Sequence, residues 1–107
     1  MKIVTLFLEG ETEEEFFKKL IRYLETEKGR RPHCEINYRT VKGVTKFKSK
    51  AAKKFRKEIF EKRPKANHYV VLWYDSDVIE KGYVSEEDLR ITERDLYRAG
   101  ARKVIHL

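Results

Sequence analysis

The run Tyr69-Val70-Val71-Leu72-Trp73-Tyr74 constrains the fold more than any other part of the chain. Its residues are bulky and nearly all β-branched or aromatic. The run is too short for a typical helix, so it reads as a strand buried on both faces. It leads directly into Asp75-Ser76-Asp77. Parallel strands in open α/β sheets present functional groups at their carboxyl ends, and the two aspartates stand at such an end. On a regular strand Asp75 and Asp77 would share one face, which helices should cover. The strand is therefore expected to end about Asp75, with Asp77 in the following loop and both carboxylates at the rim.

A second nearly continuous apolar run, Ile3-Val4-Thr5-Leu6-Phe7-Leu8, predicts another buried strand. Glu9-Gly10 follows, and glycine permits a sharp turn. Thr12-Glu13-Glu14-Glu15 matches a capping box, with Thr12 as the cap and Glu15 at the third helical position. Phe16, Phe17, Leu20, Ile21 and Leu24 then recur at helical spacing as an inward face, and Lys28-Gly29 ends the helix. Cys34, Ile36, Tyr38 and Thr40 alternate with Glu35, Asn37 and Arg39, the pattern of a half-exposed edge strand.

From about Thr45 to Lys62 a second helix is expected, with Phe47, Ala51, Phe55 and Ile59 as its inward stripe, stopped by Pro64. After the Tyr69 strand a loop runs through Gly82. Ser85 then caps a third helix whose first turn holds Glu86, Glu87 and Asp88, where the macrodipole favours acids. Leu89, Leu96 and Tyr97 are expected to face inward, and Ala99-Gly100 closes this helix. Lys103-Val104-Ile105-His106-Leu107 reads as a last strand.

The order β-α-β-α-β-α-β implies an α/β fold: a Rossmann-like open parallel four-stranded sheet with helices on both faces. The two apolar strands should be central and the alternating one an edge, which gives the order 2-1-3-4. Glu9 and Asp75 then stand side by side at the switch point. Residues 1–107 form one domain. The stop inside the last strand points to truncation, or to pairing of that edge in a homodimer or larger assembly. Cys34 is the only cysteine, so no disulfide framework or zinc cluster can form within the chain. No secretory signal is read at the start, and no apolar run approaches the ~20 residues that span a bilayer. The expectation is a cytoplasmic protein.

At this point the residues resemble the Toprim family, the catalytic fold of topoisomerases, primases and several nucleases. That family carries a glutamate and a glycine after its first strand, here Glu9-Gly10, and an Asp-x-Asp after its third, here Asp75-Ser76-Asp77. The fuller stretch from Glu9 to Phe16 is similar to the stand-alone and overcoming-lysogenization-defect nuclease branch, whose members tend to have E-G-x-T-E followed by an aromatic residue. One departure concerns the metal loop. Many members have glycine three residues after the second aspartate, where this chain has Glu80, its glycine being Gly82. Glu80 is an extra ligand or simply solvated.

The resemblance implies that Asp75 and Asp77 hold Mg²⁺, with Mn²⁺ as a substitute, and that Glu9 is a further ligand or the catalytic proton carrier. Hard carboxylate oxygens suit such an ion. The activity implied is phosphoryl transfer on nucleic acid, most simply by a metal-dependent nuclease on DNA or RNA. The formal charge of +7 favours acidic partners, of which nucleic acid is the commonest. Lys46, Lys50, Lys53 and Lys57 lie off the inward stripe of the second helix and are the expected phosphate contacts.

Other readings stay open on the residues alone. Acids at strand tips also serve as caps and turn formers, and a lysine-rich helix is also a solvated face. Apolar residues followed by Asp75-x-Asp77 further resemble the first motif of haloacid-dehalogenase-like phosphatases, which needs later motifs that few residues remain to supply. A non-catalytic Toprim-like module binding nucleic acid or protein is the alternative to an enzyme. His33, His68 and His106 have no ligand spacing and read as structural.

Overall fold

The computed structural model describes residues 2–10, 14–19, 22, 35–41, 46–74 and 77–106, with the backbone alone for Asp77 and Val78. Strands β1 (Lys2–Leu8), β2 (Glu35–Thr40), β3 (Asn67–Leu72) and β4 (Lys103–His106) form one sheet in the order β2-β1-β3-β4. Every neighbouring pair is parallel. Parallel neighbours cannot be joined by hairpins and require crossovers. A helix α1 over residues 14–19 follows β1, a helix α2 over residues 47–60 joins β2 to β3, and α3 (Asp77–Glu80) and α4 (Glu86–Arg98) lie between β3 and β4. The expected strand order and the edge position of β2 are both found.

The sheet has two unlike faces. On the first, the register sets Ile3 against His68, Thr5 against Val70 and Phe7 against Leu72. All six are buried. Phe47, Ala51, Phe55 and Ile59 of α2 join Leu89 and Leu96 of α4 in one core with the apolar members of this face. On the second face Phe17 of α1 sets its ring edge-on to Trp73, 4.4 Å between centroids, and lies 6.4 Å from the Tyr38 ring. Helices therefore pack on both faces. Strand β3 alternates buried and half-buried residues instead of being buried throughout. Its second-face residue Tyr69 has the Lys2 ammonium 6.0 Å from its ring centroid, so that face is partly polar.

Helix α2 departs from the expected regular helix. It is made of a π-helical segment Phe47–Ala51, an α-helical turn Ala52–Lys54 and a second π-helical segment Phe55–Phe60. The cause lies in the spacing of its apolar residues. In an α-helix of about 3.6 residues per turn, each step of four residues advances the stripe by about 40°. Over the three steps from Phe47 to Ile59 the stripe would turn by about 120° and carry Ile59 off the sheet. Wider turns closing i→i+5 rotate it back, as in the 3.0 Å bond from the Glu61 amide to the Arg56 carbonyl. All four stripe residues are buried as a result. Helix α4 instead buries Leu89, Thr92 and Leu96, a three-then-four spacing, and stays α-helical.

Three further expectations are corrected. Phe16 and Phe17 are adjacent, so a helix cannot aim both at the sheet. Phe17 faces in, and Phe16 is 58% exposed with its ring 5.9 Å from that of Phe17. Tyr97 is largely exposed, and its hydroxyl accepts the Val104 amide at 3.1 Å, tying α4 to β4. Asp77 opens the helical turn α3 and does not sit in a loop. Thr12, Leu20, Ile21, Leu24, Cys34 and Thr45 lie outside the described residues. Ser85 caps α4 as expected, its hydroxyl accepting the Asp88 amide at 3.0 Å.

Three substitutions probe this packing. Gly100 has φ +119°, and an added Cβ would lie 2.3 Å from the Phe60 ring. Gly100→Ala should lose about 1–2 kcal/mol to backbone strain and about 1–3 more to overpacking. Gly82→Ala, at φ +76° with open space around it, should lose only the first. Urea unfolding of both variants tests the difference, and equal losses would mean that Phe60 yields freely. The buried Thr5 hydroxyl has no hydrogen-bond partner among the described residues. Thr5→Val should therefore stabilise the fold, by up to about 1–3 kcal/mol, and a lower urea midpoint would contradict this.

Candidate functional site

The central strands end side by side. The Trp73 amide donates to the Phe7 carbonyl at 3.0 Å, so the β1–β3 ladder runs one residue past β3. Continuing the register of Phe7 with Leu72 sets Glu9 beside Tyr74. Glu9 is half-buried with its Oε1 shielded from solvent. The Glu14 amide reaches the Gly10 carbonyl at 3.5 Å, which ties the start of α1 to the residues just after β1. Glu14 is itself paired with Lys18 at 3.0 Å, as an i,i+4 helix pair.

Of the expected cation ligands, Glu9 is thus fixed at the carboxyl edge of the sheet. Asp75 follows Tyr74 in sequence and lies outside the described residues. For Asp77 the backbone is described, at the start of α3. Among the described residues no group of three acidic, histidine or cysteine side chains is gathered as a cation site. Glu80 is exposed, in keeping with the solvated reading of that residue.

The same edge carries a hydrogen-bonded chain that the sequence did not reveal. The His106 Nε2 lies 3.2 Å from Glu93 Oε2, and its Nδ1 lies 2.9 Å from the Tyr74 hydroxyl. A carboxylate only accepts, so Glu93 takes the Nε2 proton and leaves Nδ1 of the neutral ring to accept from Tyr74. The Tyr74 ring meets His106 edge-on at 5.9 Å and Phe47 at 6.2 Å. Tyr74, Glu93 and His106 line a cavity of about 490 Å³ beside α3 and the first turns of α4. The three residues come from β4, α4 and the end of β3, so no local spacing could flag them. His68, by contrast, is a core residue. Its Nε2 donates to the Arg63 carbonyl at 2.7 Å, and its ring packs between Phe55 and Phe60.

Lys46, Lys50, Lys53 and Lys57 are all exposed on α2. Of the four, Lys53 alone lines the groove between α2 and α4. Lys48 is tied across that groove to Asp88 at 3.1 Å. The hydrogen bond from Lys48 is the main reason that the Asp88 carboxyl titrates below the ordinary range.

No protein-family model matches the chain, and no curated protein or solved structure does either. Among the described residues no helix is long and apolar enough to cross a membrane.

Burial raises the Tyr74 hydroxyl above its ordinary ionisation range, and the charge of Glu93 raises it further. The folded state therefore keeps a proton that the unfolded chain loses near pH ~10. The stability that follows is fully present below that pH and is lost as pH rises through the folded value. The melting temperature of the wild type should fall more steeply above pH ~10 than that of Tyr74→Phe. Parallel alkaline profiles would show that Tyr74 does not carry this linkage.

Proposed function

We propose that the protein is a Mg²⁺-dependent enzyme of Toprim type that cleaves nucleic-acid phosphodiesters. In this reading Asp75 and Asp77 are cation ligands and Glu9 is a ligand or the proton carrier. The observation that carries it is the adjacency of β1 and β3 in a parallel sheet of order β2-β1-β3-β4. That adjacency brings the residue after β1, Glu9, to the strand that leads into Asp75-Ser76-Asp77. Burial of two apolar strands accounts for their adjacency by itself, and what supports the reading is that each runs into acids at the same edge.

The donor set fits the ion. Carboxylate oxygens are hard ligands, and Mg²⁺ is held by few of them while it keeps several waters. When bound, the ion would neutralise charge developing on the scissile phosphate. Glu9, at the same edge with its Oε1 shielded, would serve as a further ligand or as the proton carrier. Asp77 at the start of α3 and Asp75 just before it would share the cation from one short segment.

The test is cleavage of labelled DNA and RNA with Mg²⁺, with Mn²⁺ and with chelator. The wild type should cut only with a divalent ion. Asp75→Asn and Asp77→Asn should each lose activity by about 10²-fold or more, as when a transition-state-stabilising group is removed. Their melting temperatures without metal should hold or rise slightly, because clustered carboxylates repel one another. Wild-type rates in both variants would defeat the metal site. Strand binding unaffected by chelator and never followed by cleavage would favour the non-catalytic module.

A further inference from the structure

A groove of about 360 Å³ separates α2 from α4 on the side away from the sheet. Ala52 and Ala99 stand where the two helices meet, and their small side chains leave a trough. Around it stand long cationic side chains: Lys53 and Arg56 from α2, and Arg98 from the last turn of α4. All three are exposed. None of them makes an ion pair among the described residues, while Lys48 at the upper end is held by Asp88. The one carboxylate lining the groove, Asp95, is engaged by Arg94 at 3.3 Å. Three uncompensated positive charges thus surround one depression. Their mutual repulsion is relieved when an anion lies among them.

We propose that this groove is a phosphodiester track in which Lys53, Arg56 and Arg98 neutralise backbone phosphates of a nucleic-acid strand. The proposal rests on the nucleic-acid reading above and assigns it a path. From Lys48 to Arg56 the helix would rise about 12 Å at the α-helical value of about 1.5 Å per residue, and its π-helical turns shorten that somewhat. A duplex strand carries one phosphate per about 3.4 Å of axis, so the length suits about three phosphates. The upper end adjoins the carboxyl edge of the sheet, since Phe47, next to Lys48, packs against Tyr74 at 6.2 Å. A strand seated in the groove would lead to the residues that follow β1 and β3. Guanidinium groups at two of the three positions suit phosphate, which their fork of donors can hold bidentately. Contacts of this kind fix position and carry no base sequence.

The experiment is fluorescence anisotropy of labelled single-stranded and duplex DNA and matched RNA, in chelator, across a salt series. Four variants are compared with the wild type: Lys53→Gln/Arg56→Gln/Arg98→Gln, the equal charge loss Lys46→Gln/Lys50→Gln/Lys57→Gln, the charge-retaining Lys53→Arg/Arg56→Lys/Arg98→Lys, and Asp95→Asn. The groove variant should lose affinity for every sequence. Its log–log salt slope should be shallower by about two to three, at about 0.7–0.9 per lost phosphate contact. The outer-face variant should change the slope less, and the charge-retaining one should keep it. Asp95→Asn should tighten binding. Equal loss in both glutamine variants would reduce the groove to bulk charge and overturn it. An unchanged slope in the groove variant, with a wild type that binds, would overturn the track and leave the nucleic-acid reading standing. A wild type that binds no nucleic acid would overturn both.

Discussion

The bond from the Trp73 amide to the Phe7 carbonyl closes the β1–β3 ladder at its carboxyl end, and the rest of the molecule depends on that ladder. Two parallel strands cannot be joined by a turn, so their pairing forces the chain through crossovers that supply the helices. Their central position also buries the first face of the sheet, where Phe7, Val70 and Leu72 have no measurable exposure. The same register decides the chemistry available at the edge. A slip of one residue would exchange the faces of every side chain on β3. It would remove Tyr74 from His106 and put Glu9 out of step with the residues that follow β3.

The two helices on the buried face solve one packing problem in different ways. Leu89, Thr92 and Leu96 follow the α-helical period, so α4 needs no distortion. The strict four-residue spacing of Phe47, Ala51, Phe55 and Ile59 does not follow it, and α2 widens into π-helical turns to keep these residues against the sheet. Widened turns shift every outward side chain as well as the inward ones. The residues that α2 presents toward α4 therefore depend on the same distortion that serves the core. The groove between the helices is in that sense a consequence of how the interior packs.

The fold was legible because its signals are periodic and local. Continuous apolar runs marked β1 and β3, alternation marked β2, and Ser85 with three acids marked the start of α4. Strand order followed from which runs were apolar throughout. Less legible was anything set by relative rotation. The stripe on α2 was correctly named, but its spacing was taken as ordinary helical periodicity when it called for π turns. Adjacent aromatics hid which of Phe16 and Phe17 would face the sheet. The place of Glu9 at the carboxyl edge followed from the apolar run that ends in it. The Tyr74–His106–Glu93 chain was not found, because its members lie far apart in sequence and join only through the β3–β4 register. That Arg56 and Arg98 line one groove was hidden for the same reason. Charge on one helix is visible in a sequence, and a groove shared by two helices is not.

The charges of this chain are not arranged as a uniform positive coat. In sequence, acids follow both central strands, from Glu9 to Glu15 and again from Asp75 to Glu80. By themselves they would repel a polyanion from the place where it would have to react. Screening at physiological salt leaves charges effective over about 8 Å. The contact of Phe47 with Tyr74 brings the upper end of α2, and Lys48 with it, near that range of the edge. Lys48, however, is held by Asp88 and offers little net field. Lys53, Arg56 and Arg98 make no ion pair among the described residues, but they stand farther along the helices than that range, so they would hold a strand and not neutralise the edge. The negative charge of the edge would have to be met by the cation it is proposed to hold. The pair of Lys48 with Asp88 would then stand between the acids proposed to hold a cation and the cations proposed to hold a strand.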